Sequence, residues 1–279
     1  MGPGGAKGAE MTVESSDSAF RGSIPALYDR CLGPFLFEPY AQDLAARAAA
    51  LSPRRILETA AGTGIVTAAL AAALPDAEIV ATDLNPDMLA VAHARIASPR
   101  IAFRPADAMA LPFPDRGFDL VVCQFGAMFF PDRPAAFAEA RRVLRPGGTF
   151  LLNVWDRIEA NPASAAVAEA VAGLFPEAPP SFLARTPFGY HDVARLSADL
   201  AAAGFADVAV ETVARRSRGR ASDVAPGLCE GSPLRAEIES HGPGRLAEAT
   251  SAALARLREV AGGDSVDLPM SAHVATARA

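Results

Sequence analysis

Between Arg54 and Trp155 the chain alternates short apolar runs with helix-patterned stretches, and several of the apolar runs stop at an acid or an amide. Ile56-Leu57 reads as a short buried strand ending at Glu58, and Val66–Leu74 as a helix closed by Pro75-Asp76. "EIVATD" (Glu78–Asp83) reads as a strand. "NPDMLAVAHARIA" follows as a helix, with Asn85 as N-cap and Pro86 at its first position. "IAFRPAD" and "FDLVVCQFG" (Phe118–Gly126) are the next strands. "RPAAFAEARRVLRPGG" is a helix stopped by Pro146-Gly147-Gly148, and "TFLLNVW" a further strand. Continuous rather than alternating apolar strands, each followed by a helix, require a parallel sheet covered on both faces. No internal repeat competes with that reading.

The flanks follow other rules. "MGPGGAKGAEMTVESSDS" is rich in Gly and Ser, so residues 1–20 read as a disordered tail and 21–279 as one domain. Helical spacing begins at Ile24 with Tyr28, Leu32, Phe35 and Leu36, and Ala41–Leu51 is a second helix. Beyond Trp155, residues 156–203 and 222–262 read as Ala-rich helices, a cap over a core at about 52–155. Asp207–Arg215 and "VDLPMSAHVATA" are two more strands, and Pro269 in the latter implies an edge or a later start.

The composition is globular, with 51% apolar and 21% charged residues and a net charge of −6. That acidic excess argues against nucleic acid as a partner. Cys31, Cys123 and Cys229 show no metal spacing and read as reduced thiols, so the expected setting is cytoplasmic, with no metal and no membrane span.

In open parallel sheets a ligand lies outside the carboxyl ends of the strands. Four such ends carry chemistry here. Glu58 is followed by Ala60, Gly62, Thr63 and Gly64, where bare backbone N–H groups can meet a carboxylate or phosphate. Asp83 can accept both hydroxyls of a ribose. Asp107 and the Ala108 N–H can bracket an adenine edge, and Gln124 stands where a reacting group would sit. Singly, each has a plainer role as a turn or helix-entry residue, and a lone Gly-x-Gly is weak evidence. Four ends in register with one adenosine-sized ligand are a stronger signal.

"ILETAAGTGIVT", "ATDLNPDML", "RPADAMALPFPDRGFDLVVCQFGAMFF", "EARRVLRPGGTFLL" and "YDRCLGPFLFEPYAQDLA" together resemble the class I S-adenosylmethionine-dependent methyltransferases. The branch they are most similar to is the ubiquinone/menaquinone-biosynthesis type. The resemblance is dense over residues 24–155 and otherwise in outline. It implies an α/β, Rossmann-like, seven-stranded mostly parallel sheet of order 3-2-1-4-5-7-6 with the last strand antiparallel. It also implies helices on both faces and S-adenosyl-L-methionine as cofactor. Asp83 would hold the ribose, Leu84 and Met88 would pack on the adenine, and Asp107 with Ala108 would read its edge. Ala60, Gly62 and Thr63 would line the methionine end, with Glu58 orienting that loop or meeting the amino group and Tyr28 reaching the carboxylate. The family's first glycine is Ala60 here, which permits a close approach if its φ is negative.

Methyl transfer needs in-line positioning more than acid–base machinery. Gln124 and His191 are the catalytic candidates, although His191 also reads as a surface or capping residue; His93 reads as solvated, and His241 and His273 lie far from any motif. Phe129 fits either a cation–π contact with a sulfonium or core packing. The "CQFG" strand end and the acidic charge favour a small-molecule acceptor under the cap, in a monomer or homodimer. Two alternatives stay open: a nicotinamide-dependent Rossmann oxidoreductase, whose fingerprint needs Gly or Ala where Thr67 stands, and a non-catalytic adenosyl-cofactor-binding module.

Overall fold

The computed structural model describes residues 24–279, so the expected tail at residues 1–20 lies outside the described residues. Its centre is a seven-stranded sheet of order β3-β2-β1-β4-β5-β7-β6. The strands are β1 (Arg55–Glu58), β2 (Glu78–Asp83), β3 (Ile101–Pro105), β4 (Phe118–Gln124), β5 (Leu144–Trp155), β6 (Asp207–Arg220) and β7 (Ser265–Arg278). β1 pairs in parallel with β2 and β4, while β7 runs antiparallel to both β5 and β6. This is the order the family resemblance implies. Ile56, Leu57 and Leu120 to Cys123 are fully buried, as strands covered on both faces must be.

Helices α3 (Ile65–Ala73), α4 (Pro86–Arg95) and α5 (Arg133–Val143) join the parallel strands. Asn85 caps α4 by accepting the Asp87 N–H, with Pro86 at the first position, as its sequence requires. Helix α5 ends at Val143, before the Pro-Gly-Gly that was expected to stop it. Leu144 turns extended and pairs with Phe118, and the register then shifts before Thr149 meets Leu120. The N-terminal helices α1 (Ile24–Leu32) and α2 (Glu38–Leu51) are joined by a π turn, Gly33–Phe37.

Strands β6 and β7 pair over their whole length, from Asp207–Arg278 to Arg220–Ser265, but β5 covers only Ala272 to Arg278 of β7. The rest of the hairpin projects past the sheet. Because β6 is parallel to β1, the projection is on the carboxyl side. Its tip carries α9 (Ala221–Glu230), α10 (Leu234–Glu239) and α11 (Arg245–Ala261), with α9 against α1 and α11 against α6 (Pro162–Leu174). Pro269 sits in this projection opposite Arg216, where the other edge of β7 has no strand partner, so its missing N–H breaks no ladder. Between α6 and β6 lie α7 (Phe182–Arg185) and α8 (Val193–Ala202). Helix α8 packs on α5 and β6 through buried Leu196 and Leu200. It therefore joins the layer flanking the sheet, and the cap expected at 156–203 is smaller by that helix. Among the described residues no helix is long and apolar enough to cross a membrane.

Candidate functional site

The sheet order reverses between β1 and β4, and there a cavity of about 520 Å³ opens at the carboxyl ends. The loop after β1 forms its floor. The Thr59 N–H donates to Val122 O, the Ala61 N–H to Thr82 O, and the Thr82 hydroxyl to Glu58 O, so three strand ends hold the loop. Ala60 has φ of 52°, contrary to the negative value its side chain would favour. The position keeps the glycine-type backbone and carries a methyl on it. Gly126 makes room: a Cβ there would lie 2.4 Å from the Ala60 Cβ.

Glu58 is 1% exposed and accepts the Thr67 hydroxyl at 2.6 Å. Burial pushes its carboxyl up to about 8, against the lowering effect of that hydrogen bond, so it is largely protonated at neutral pH. Asp83 accepts the Gly62 N–H on Oδ2 and the Asn85 N–H on Oδ1, both at 2.8 Å, and burial raises its pKa. These bonds fix the carboxylate plane and leave lone pairs on both oxygens. Asp107 accepts the Met109 N–H at 2.8 Å, which presents the Asp107-Ala108 segment to the same cavity.

Tyr28 reaches the cavity from α1 and stacks on Phe37 at 4.9 Å. Burial, then the neighbouring Asp83 charge, push its phenol up and keep it neutral. Gln124 donates Nε2 to Phe37 O at 3.2 Å, tying the end of β4 to the π turn. Its Oε1 and the Thr63 hydroxyl are buried and find no hydrogen-bond partner among the described residues.

Of the residues singled out in the sequence, Tyr28, Glu58, Ala60, Gly62, Thr63, Asp83, Leu84, Met88, Asp107, Ala108 and Gln124 line this one cavity. Gly64 and His191 do not. Gly64 lets α3 approach α4, since a Cβ there would lie 2.9 Å from Ala92 Cβ. His191 is exposed beside the α8 cap residue Asp192, its Nδ1 2.8 Å from Phe188 O. The other three histidines are also absent from the lining. Among the described residues no group of His, Cys, Asp and Glu could hold a metal ion.

Sequence reasoning passed over Phe37, Phe130 and Pro131, which with Phe125 and Phe129, both met at or after the fourth strand end, make a largely aromatic wall on the β4 side. The "FGAMFFP" run after β4 was the available signal for most of it. Phe125 also has positive φ, 49°; its N–H donates to Asn153 Oδ1 at 3.0 Å and its ring stacks on Trp155 at 3.8 Å.

This sheet order, with a ligand-sized cavity at its switch point and acids at the ends of β1 and β2 and after β3, is the fold that the resemblance to class I methyltransferases implies. Residues 56–148, about a third of the chain, match the family described as "Methyltransferase domain". The chain is similar to the demethylmenaquinone methyltransferase of Deinococcus radiodurans, at 43% identity over 110 residues, 39% of this chain and 46% of the relative. It thus spans about half the length of the curated relatives it matches. Among solved structures, it is similar to Haemonchus contortus phosphoethanolamine N-methyltransferase 2, which was solved with S-adenosyl-L-methionine. The TM-score is 0.57 at 17% identity, over 91% of this chain and 56% of that one. The YcgJ protein of Bacillus subtilis has a TM-score of 0.55 at 20% identity, over 86% and 98% of the two chains. These two likenesses concern the fold alone.

Proposed function

We propose that this protein is a methyltransferase that uses S-adenosyl-L-methionine to methylate a small-molecule acceptor. One observation carries the reading: the loop at 60–63, Asp83 and the Asp107-Ala108 segment converge on a single cavity. The residues present suit the cofactor. Leu84 is 64% exposed at the cavity rim, an apolar surface next to a carboxylate with spare lone pairs.

When bound, the cofactor supplies an electrophilic methyl on a sulfonium. Asp83, held rigid by Gly62 and Asn85, accepts the ribose hydroxyls, and Leu84 and Met88 cover the adenine faces. Asp107 and the Ala108 N–H meet the adenine edge. Ala60, Gly62 and Thr63 take the amino-acid end, with Glu58 behind them and Tyr28 in front. The aromatic wall from Phe37 to Phe130 excludes water and orients the acceptor for in-line attack. Transfer from a sulfonium needs in-line positioning more than a base, so catalysis is assigned to positioning.

The nicotinamide alternative is disfavoured by Thr67, whose hydroxyl is engaged with Glu58 where a dinucleotide fingerprint needs a small residue. Heat-melting the protein with S-adenosylmethionine, S-adenosylhomocysteine and NAD(H) tests the assignment, because a native-state ligand raises the midpoint by mass action. A rise with the two adenosyl compounds is expected. A rise with NAD(H) alone would overturn the reading, and cofactor binding without transfer to any molecule in a metabolite extract would favour a non-catalytic module.

A further inference from the structure

The aromatic wall after β4 is held from behind by a cation. Arg133, the first residue of α5, donates Nε to Ala127 O at 3.2 Å and Nη2 to Met128 O at 3.0 Å. Its guanidinium lies 4.2 Å from the centre of the Tyr190 ring. Tyr190, 2% exposed, in turn donates its hydroxyl to Asp199 Oδ2 on α8 at 2.6 Å. Asp199 and Arg195 act on the cation through space with opposite sign, and among the described residues Arg133 has no ion-pair partner of its own.

Setting a half-buried guanidinium against carbonyls and a ring, without a paired acid, is unfavourable unless its hydrogen bonds are made. Here they fall on the two peptide groups that precede Phe129, Phe130 and Pro131, all three of which line the cavity. The planar fork spans two successive carbonyls, which a lysine head cannot do with the same geometry. Arg133 itself is not in the lining, and neither carbonyl belongs to the loop at 60–64 or to Asp83 and Asp107. The device acts on the β4 side of the cavity.

We propose that Arg133 is a positioning residue for the methyl acceptor: it sets the shape of the wall the acceptor packs against, with Tyr190 as its support. The inference rests on the methyltransferase reading of the cavity. The full-length protein, Arg133→Met and Arg133→Lys are to be assayed with methyl-tritiated S-adenosylmethionine against a small-molecule extract at graded dilution. Half-saturation is read separately for cofactor and extract. Arg133→Met keeps the apolar stem and loses the fork. It should raise the half-saturating amount of extract about tenfold or more and leave that of the cofactor within about twofold, and Arg133→Lys should recover part of the loss. Equal rises for both, or no rise, would overturn the inference. Hydrogen exchange on the unliganded proteins gives a second readout. Faster exchange confined to residues 126–131 in Arg133→Met supports the inference, and uniform or absent acceleration refutes it. If the wild type transfers no label, the methyltransferase reading fails, and the exchange measurement decides the role of Arg133 on its own.

Discussion

The methyl of Ala60 occupies the space that a side chain at residue 126 would need; a Cβ built on Gly126 falls 2.4 Å from it. The two residues close the cavity floor from neighbouring strand ends, and Ala60 does so with φ of 52°. A left-handed alanine costs roughly 1–2 kcal/mol, partly offset because glycine at the same place loses more chain entropy on folding. Ala60→Gly should therefore stabilise the protein by up to about 1 kcal/mol. Gly126→Ala should destabilise it by about 1–3 kcal/mol through overpacking. The double variant should recover part of that loss, with Cys123 Sγ, 3.0 Å from the added Cβ, limiting the recovery. Denaturant melts of the four proteins measure this coupling, and additive effects would remove it.

Glu58 makes stability depend on pH in a stated direction. The folded carboxyl keeps its proton to about pH 8, whereas an unfolded glutamate loses it near ~4.3. Between those values the folded state binds more protons, so the Glu58 contribution is complete at low pH and is lost as pH rises through about 8. Glu58→Gln should flatten this slope and raise the melting temperature by a few °C near pH 9, on the order expected for one buried charge avoided. Thr67→Val removes the hydrogen bond that favours ionisation and should move the decline to higher pH. Melting temperatures across the pH range check both.

Asp83 serves two backbone donors before any ligand arrives. Asp83→Ala should weaken S-adenosylhomocysteine binding by about 2–4 kcal/mol, because it removes the acceptor and strands the Gly62 and Asn85 N–H groups. Asp83→Asn, which keeps one acceptor oxygen, should lose less. Calorimetric titration reads both, and unchanged affinity in Asp83→Ala would remove the ribose assignment.

Asp29 on α1 pairs with Arg95 in the last turn of α4. This strap holds the helix that carries Tyr28 against the helix that follows Leu84. A partly exposed pair contributes at most about 1 kcal/mol, so Arg95→Gln should speed S-adenosylhomocysteine release by roughly fivefold at low salt. The difference should fade at high salt as screening weakens the wild-type pair. Stopped-flow fluorescence of Trp155, the single tryptophan, can follow release. Equal rates at low salt would show that the strap does not gate the cavity.

Alternating apolar strands and capped helices were legible in the chain because they are local. An unbroken apolar run marks a buried strand such as Leu120 to Cys123, and Asn85-Pro86 starts a helix with no help from distant residues. The acids at 58, 83 and 107 were legible for the same reason, since each ends its strand or closely follows it. Tertiary structure alone decided what those groups meet. The proton on Glu58 depends on burial that outweighs the hydrogen bond from Thr67, the sign of φ at Ala60 on three strand ends pulling one loop, and the wall at Phe37 on a carbonyl bonded to Gln124 far along the chain. The same holds for α8 joining the sheet layer and for Arg133 resting on Tyr190. Sequence pattern reports how a segment meets its own neighbours, whereas desolvation and packing depend on which remote segments close over it.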